Sequence, residues 1–76
     1  MTKLPAVSGA QLVRALERAG FEVVRVSGSH YRLVHRDDPR KATTVPIHGS
    51  KELRKGTLRN ILSQTGLSTE ELMALL

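Results

Sequence analysis

The sequence predicts an α+β sandwich, a three-stranded antiparallel sheet with helices packed on one face. Three observations predict it. A helical run near the start closes on a glycine, three strand-like segments follow between turn residues, and helical spacing returns from Thr57 onward.

Ser8 with Gln11 three residues later is a capping-box signature for a helix start. Leu12, Val13, Leu16 and Ala19 then recur at helical spacing, with Arg14, Glu17 and Arg18 on the wet side. Gly20 is placed to end this first helix, which runs from Ser8 or Gly9 to Ala19, and Phe21 packs back beyond it. Phe21 to Val26 is rich in β-branched residues and reads as a strand. Ser27-Gly28-Ser29 is a turn, and His30 to Arg36 is a second strand completing a hairpin. Asp37-Asp38-Pro39 signals a loop, after which Ala42 to Ile47 forms a third strand; Pro46 places it at a sheet edge or ends it. Alternation puts Tyr31, Leu33 and His35 on one face and His30, Arg32, Val34 and Arg36 on the other. If the apolar set faces the helices, His30 and His48 share the opposite face with Arg32.

Leu58, Ile61 and Leu62 mark a second helix from Thr57 to Thr65, closed by Gly66. The preceding stretch, Lys51 to Gly56, reads as a loop or a ragged first turn. Ser68 with Glu71 is another capping box, with Leu67 and Leu72 as its hydrophobic staple, so a short third helix runs to Leu76. Residues 1–76 make one small domain with a single modest core.

With no cysteine there is neither a disulfide framework nor a thiolate metal site. No apolar run reaches the roughly 20 residues that span a bilayer, and Met1 to Pro5 lacks a signal-peptide h-region. The composition fits a cytoplasmic protein. The net charge of +5 is concentrated mid-chain: residues 23–59 carry nine basic side chains against three acidic ones. Such a surface suits nucleic acid as well as it suits plain solvation.

Two histidine motifs lie in that basic stretch, Gly28-Ser29-His30-Tyr31 and Pro46-Ile47-His48-Gly49. An imidazole can move protons near neutral pH while neighbouring cations hold a polyanion. RNA fits best, because its own 2′-hydroxyl supplies the nucleophile. His30 is the candidate general acid or base, on a rigid strand directly after a turn. Gly28 allows a nucleic-acid backbone close approach, and Ser29 can donate to phosphate. Spacing by itself favours reading His30 as a surface or half-buried strand residue. His48 reads first as a structural residue bonding the turn at Gly49, and after that as a candidate acid partner or a phosphate contact. His35, on the core face, reads as a packed or capping histidine. Arg32, Lys51, Arg54, Lys55 and Arg59 are the candidate RNA-binding cations, the last group lining one helix face if 51–59 is helical throughout. The histidine separations lack the short ligand pairs of zinc sites, and no phosphate-binding glycine loop is present, so neither a metal nor a cofactor is expected.

Leu16-Glu17-Arg18-Ala19-Gly20-Phe21, Gly28-Ser29-His30-Tyr31, Val45-Pro46-Ile47-His48-Gly49, Leu53-Arg54-Lys55-Gly56-Thr57-Leu58-Arg59-Asn60-Ile61-Leu62 and Gly66-Leu67-Ser68 occur in that order. Together they resemble the HicA (YcfA-like) family, the mRNA-cleaving toxins of HicA–HicB pairs, over about residues 8–72. The resemblance implies a fold like the double-stranded-RNA-binding domain and a metal-independent endoribonuclease that cleaves mRNA. It carries the catalytic role to His30 and keeps His48 as a candidate. It also implies a HicB-like antitoxin that covers the active site. A non-catalytic RNA-binding module of the same fold is the alternative, and a protein that only docks an acidic partner is a third reading.

Overall fold

A computed structural model describes residues 3–76; Met1 and Thr2, part of the terminus considered above, lie outside the described residues. The element order is α1 (Gly9–Arg18), β1 (Phe21–Ser27), β2 (His30–His35), β3 (Ala42–Pro46), α2 (Lys55–Thr65) and α3 (Thr69–Leu75). The strands form one antiparallel sheet in the order β1-β2-β3. The predicted α+β layout with its extra C-terminal helix is the one observed. No helix among the described residues is long and apolar enough to cross a membrane.

Both capping boxes form. The Ser8 amide donates to Gln11 Oε1 at 2.9 Å while the Gln11 amide donates to Ser8 Oγ at 3.2 Å. Ser68 and Glu71 repeat the exchange at 2.9 and 3.0 Å. Each box satisfies two amides that the first helical turn would otherwise leave open. The Glu71 carboxyl is held below its ordinary range, first by the Ser68 amide and then by the Ser68 hydroxyl.

Leu33 and Val45 of the sheet are fully buried against Leu12, Leu16, Leu58, Ile61 and Leu72 of the helices. Thr43 faces the same way, and its hydroxyl donates to Gln64 Oε1 at 2.6 Å. Since Leu33 points at the helices, alternation turns its neighbours Arg32 and Val34 to the open face.

Several boundaries differ from the expected ones. β3 ends at Pro46 rather than Ile47, and the Ile47 amide donates instead to the Ser29 carbonyl in the hairpin turn at 2.7 Å. α1 ends at Arg18 with Ala19 as its cap, and β2 ends at His35. α2 starts two residues early, at Lys55, with Arg54 as an extended N-cap whose side chain makes no capping bond. Lys51 therefore lies in a turn, outside the helix, and the 51–59 stretch is not one helical face. The segment before α2 is instead held by backbone pairing with the chain before α1, where the Leu53 amide donates to the Val7 carbonyl at 2.8 Å.

One irregularity was not foreseen. The β1–β2 register slips between Val23 and Arg25, so that Val23 opposes Leu33 while Arg25 opposes Arg32. The bulge at Val24 inserts one extra residue. Phe21 and Val23 on one side of it, and Val26 on the other, all align with core-face partners on β2. Val24 itself stays exposed.

Candidate active site

His30 opens β2 directly after a two-residue turn, Gly28-Ser29, that joins the paired residues Ser27 and His30. Gly28 has φ of +58° while Ser29 is not in the positive region, so the left-handed demand falls on the first turn residue alone. That pattern matches the twist of a hairpin and calls for glycine there. An added Cβ at Gly28 meets nothing within 4 Å, so its conformation, not shortage of room, makes glycine necessary.

The sheet register decides what surrounds His30. Across β1 it opposes Ser27, and across β3 it opposes Pro46. One step along, Arg32 lies between Arg25 and Thr44. Cross-strand partners share a face, so all these side chains project from the side that the helices leave uncovered. Arg25, Ser27, His30, Arg32 and Thr44 together line a shallow cleft of about 310 Å³. His30 is solvent-exposed, at the cleft rim.

The electrostatics of this cleft are unusual for a sheet. Two arginines face one another across adjacent strands, an arrangement that repels. Neither forms an ion pair among the described residues; the ion pair observed there joins Arg40 to Asp38, away from the cleft. Arg32 is steered by its donation to Thr44 Oγ1 at 3.3 Å.

His48 follows Pro46 by two residues and is also exposed. It lies past the end of β3, so it does not share the strand face with His30, as the parity argument had allowed. Its imidazole makes no hydrogen bond within the described chain, so it does not bond the turn at Gly49. Instead it lines a second cleft of about 330 Å³ with Pro46, Lys51, Glu52, Leu53, Arg54 and Thr57. Pro46, the strand partner of His30, forms one wall of this second cleft.

His35 is half-buried, as its parity predicted. Its Nδ1 accepts from the Asp37 amide at 3.1 Å, which requires the proton on Nε2, and Nε2 donates to the Ala19 carbonyl at 3.1 Å. The ring also meets Phe21 edge-on, with centroids 4.9 Å apart. Both ring nitrogens are thus used in joining the end of α1 to the end of β2.

The predicted cations separate into three groups. Arg32 stands beside His30, and Lys51 and Arg54 beside His48. Lys55 and Arg59 open onto a different cleft, of about 490 Å³, with Lys3, Leu4, Leu62, Leu67, Ser68 and Thr69. Arg25, Ser27 and Thr44 are cleft residues that the sequence reading missed. The signal for Arg25 was present, because the two-residue turn alone pairs it with Arg32. Among the described residues, no group of three or more His, Asp or Glu gathers as a metal site.

No curated protein matches this chain. A family model described as the HicA toxin of bacterial toxin–antitoxin systems matches residues 9–67, which include both histidine motifs and every strand. Because that match covers most of its length, the chain belongs to the HicA toxin family of bacterial toxin–antitoxin systems.

Proposed function

We propose that the chain is a metal-independent endoribonuclease that cleaves mRNA, with His30 as general acid or base. The observation that carries this reading is the uncompensated Arg25–Arg32 pair beside His30 on the open sheet face. In the proposed reaction an RNA phosphate sits between the two guanidiniums. A base takes the 2′-hydroxyl proton, the 2′-oxygen attacks phosphorus, and the P–O5′ bond breaks. The leaving 5′-oxygen receives a proton, and a 2′,3′-cyclic phosphate remains on the upstream fragment.

His30 is the side chain of the cleft that can serve either proton transfer near neutral pH. Arg25 and Arg32 hold the phosphate and offset the charge that grows on its oxygens. Ser29, on the turn, and Gly28, which keeps the turn narrow, leave the backbone of the substrate an open approach. RNA is retained along the basic surface by these groups, with Lys51 and Arg54 beside His48. A HicB-like antitoxin with an acidic surface would meet the same cations and block the cleft by occupying it.

The test is His30→Ala measured for both cleavage and RNA binding. Cleavage should fall by roughly 10²–10⁴-fold, the usual worth of general acid–base help, while RNA binding is retained. Wild-type protein that binds RNA and never cleaves it, with or without its antitoxin removed, would favour the non-catalytic RNA-binding module. Activity abolished by chelator and restored by a divalent ion would remove the metal-free part of the mechanism.

A further inference from the structure

We infer that the cleft around His48 is a nucleotide subsite, which seats the base and phosphate next to the scissile position and favours guanine. This rests on the proposed ribonuclease reading for its place in the reaction, but the site itself is argued from its own side chains. Its walls differ in chemistry. Pro46 and Leu53 offer apolar surface, while Lys51 and Arg54 supply two cations, Glu52 a carboxylate, Thr57 a hydroxyl and His48 an imidazole. None of these side chains makes an ion pair or hydrogen bond within the described chain, so all are free to serve a ligand. The volume, about 330 Å³, lies at the lower end of the range of small-molecule sites.

Placement adds to this. Pro46 separates the two clefts and is the strand partner of His30. The Ile47 amide is tied to the Ser29 carbonyl at 2.7 Å, which fixes the start of the His48 loop against the turn that presents His30. A strand leaving the Arg25–Arg32 pair past Pro46 would enter the second cleft with its next nucleotide. There a base can rest on the proline and imidazole rings while Lys51 and Arg54 take the adjoining phosphate. Glu52 is the one carboxylate of the lining. A carboxylate accepts two parallel N–H donors, which guanine presents on its Watson–Crick edge. Uracil, cytosine and adenine each set an acceptor against it.

The experiment is a titration of the full-length wild-type protein with 3′-GMP, 3′-UMP and inorganic phosphate, followed by NMR of backbone and imidazole signals. Expected are saturable shifts centred on His48 and Thr57, stronger for 3′-GMP than for 3′-UMP. Arg54→Ala should weaken both nucleotides by about tenfold, the usual worth of a charge-assisted bond. Glu52→Gln should narrow the difference between them. Equal shifts with inorganic phosphate would overturn base recognition, and shifts confined to Arg25 and His30 would overturn the subsite. Because no cleavage is required, a protein that fails to cut RNA yet shows the His48 shifts would refute the ribonuclease reading alone. In a cleaving protein, His48→Ala should raise KM for guanine-containing substrate more than it lowers kcat; the reverse would make His48 part of the chemistry instead.

Discussion

Two glycines, each in the first turn of a helix, should respond to the same substitution with opposite sign. A Cβ built on Gly9 falls on the Pro46 carbonyl oxygen, and it lies 2.9 Å from Ile47 Cγ1 and 3.1 Å from Ile47 Cα. Two of these three neighbours are backbone, so neither a rotamer change nor a flexible tip can relieve the overlap. Either α1 or the end of β3 must move. Overpacking of this kind costs about 1–3 kcal/mol. Alanine returns at most about 1 kcal/mol of helix propensity; with two backbone atoms in the way the cost falls in the upper part of its range, so Gly9→Ala should destabilise by up to about 2 kcal/mol. At Gly56, in α2, an added Cβ meets nothing within 4 Å. There Gly56→Ala should stabilise by about 0.4–1 kcal/mol through the unfolded chain. For a domain of this size 1 kcal/mol moves Tm by roughly 4–8 °C. Thermal unfolding should therefore place Gly9→Ala several degrees below the wild type and Gly56→Ala a few degrees above it. Gly9→Ala at or above the wild-type Tm would refute the claim that α1 sits directly against the backbone at Pro46. The same variant has a functional consequence, because Pro46 is the strand partner of His30. Cleavage should fall further than stability alone accounts for at a temperature where the variant is still folded.

Leu33→Ala removes a fully buried side chain from the centre of the sheet, and should cost about 2–5 kcal/mol by urea denaturation; a loss under 1 kcal/mol would mean that the core closes around the gap. Ser68→Ala should cost about 0.5–2 kcal/mol and return the Glu71 carboxyl towards its ordinary range in an NMR pH titration. The sign of the pH effect follows from that depressed carboxyl. Its stabilising share is present above the unfolded value, and is lost as pH falls through the lower folded value. Acid should thus loosen α3 in the wild type, and this part of the pH dependence should shrink but persist in Ser68→Ala, because the residue-68 amide still donates to the Glu71 carboxylate. Lys55→Ala and Arg59→Ala should each flatten the salt slope of RNA binding by roughly one unit on RNA long enough to reach their separate cleft. An unchanged slope on long RNA would take them off the RNA path.

The elements were legible because most of them are punctuated locally. Ser8 with Gln11 and Ser68 with Glu71 announce helix starts in four residues, and both boxes are made. Gly20, Gly28 and Gly66 mark turns, and each has a positive φ. The start of α2 was not legible for the same reason inverted: Arg54 caps it without a side-chain bond, so no residue type advertises the boundary. What holds that boundary is pairing between Leu53 and Val7, a contact across 46 positions of chain that no local pattern carries.

The site was legible in its histidine and only in part in its partners. His30 and the Arg25–Arg32 pairing are where the two-residue Gly28-Ser29 turn puts them, while the bulge at Val24 sets how Phe21 and Val23 align beyond it. Strict alternation through Phe21-Glu22-Val23-Val24-Arg25-Val26 would put Arg25 on the same face as Phe21 and Val23. The adjacent valines break that alternation, and in a half-buried strand such a break has two solutions: a buried arginine, or an extra residue. Burying an unpaired guanidinium costs several kcal/mol, far more than leaving one valine exposed. The strand takes the second solution, Val24 stays in solvent, and Arg25 arrives opposite Arg32. The bulge thus lets Phe21 and Val23 stay on the core face while Arg25, next to the exposed Val26, keeps the open face opposite Arg32 beside His30. Deleting Val24 takes out only the extra residue, so Val23 opposite Leu33, Arg25 opposite Arg32 and Val26 opposite Tyr31 become one unbroken ladder. The Arg25–Arg32 pair should therefore survive, and RNA affinity with it. A Val24 deletion that folds and yet loses RNA affinity would show that the bulge itself positions the site.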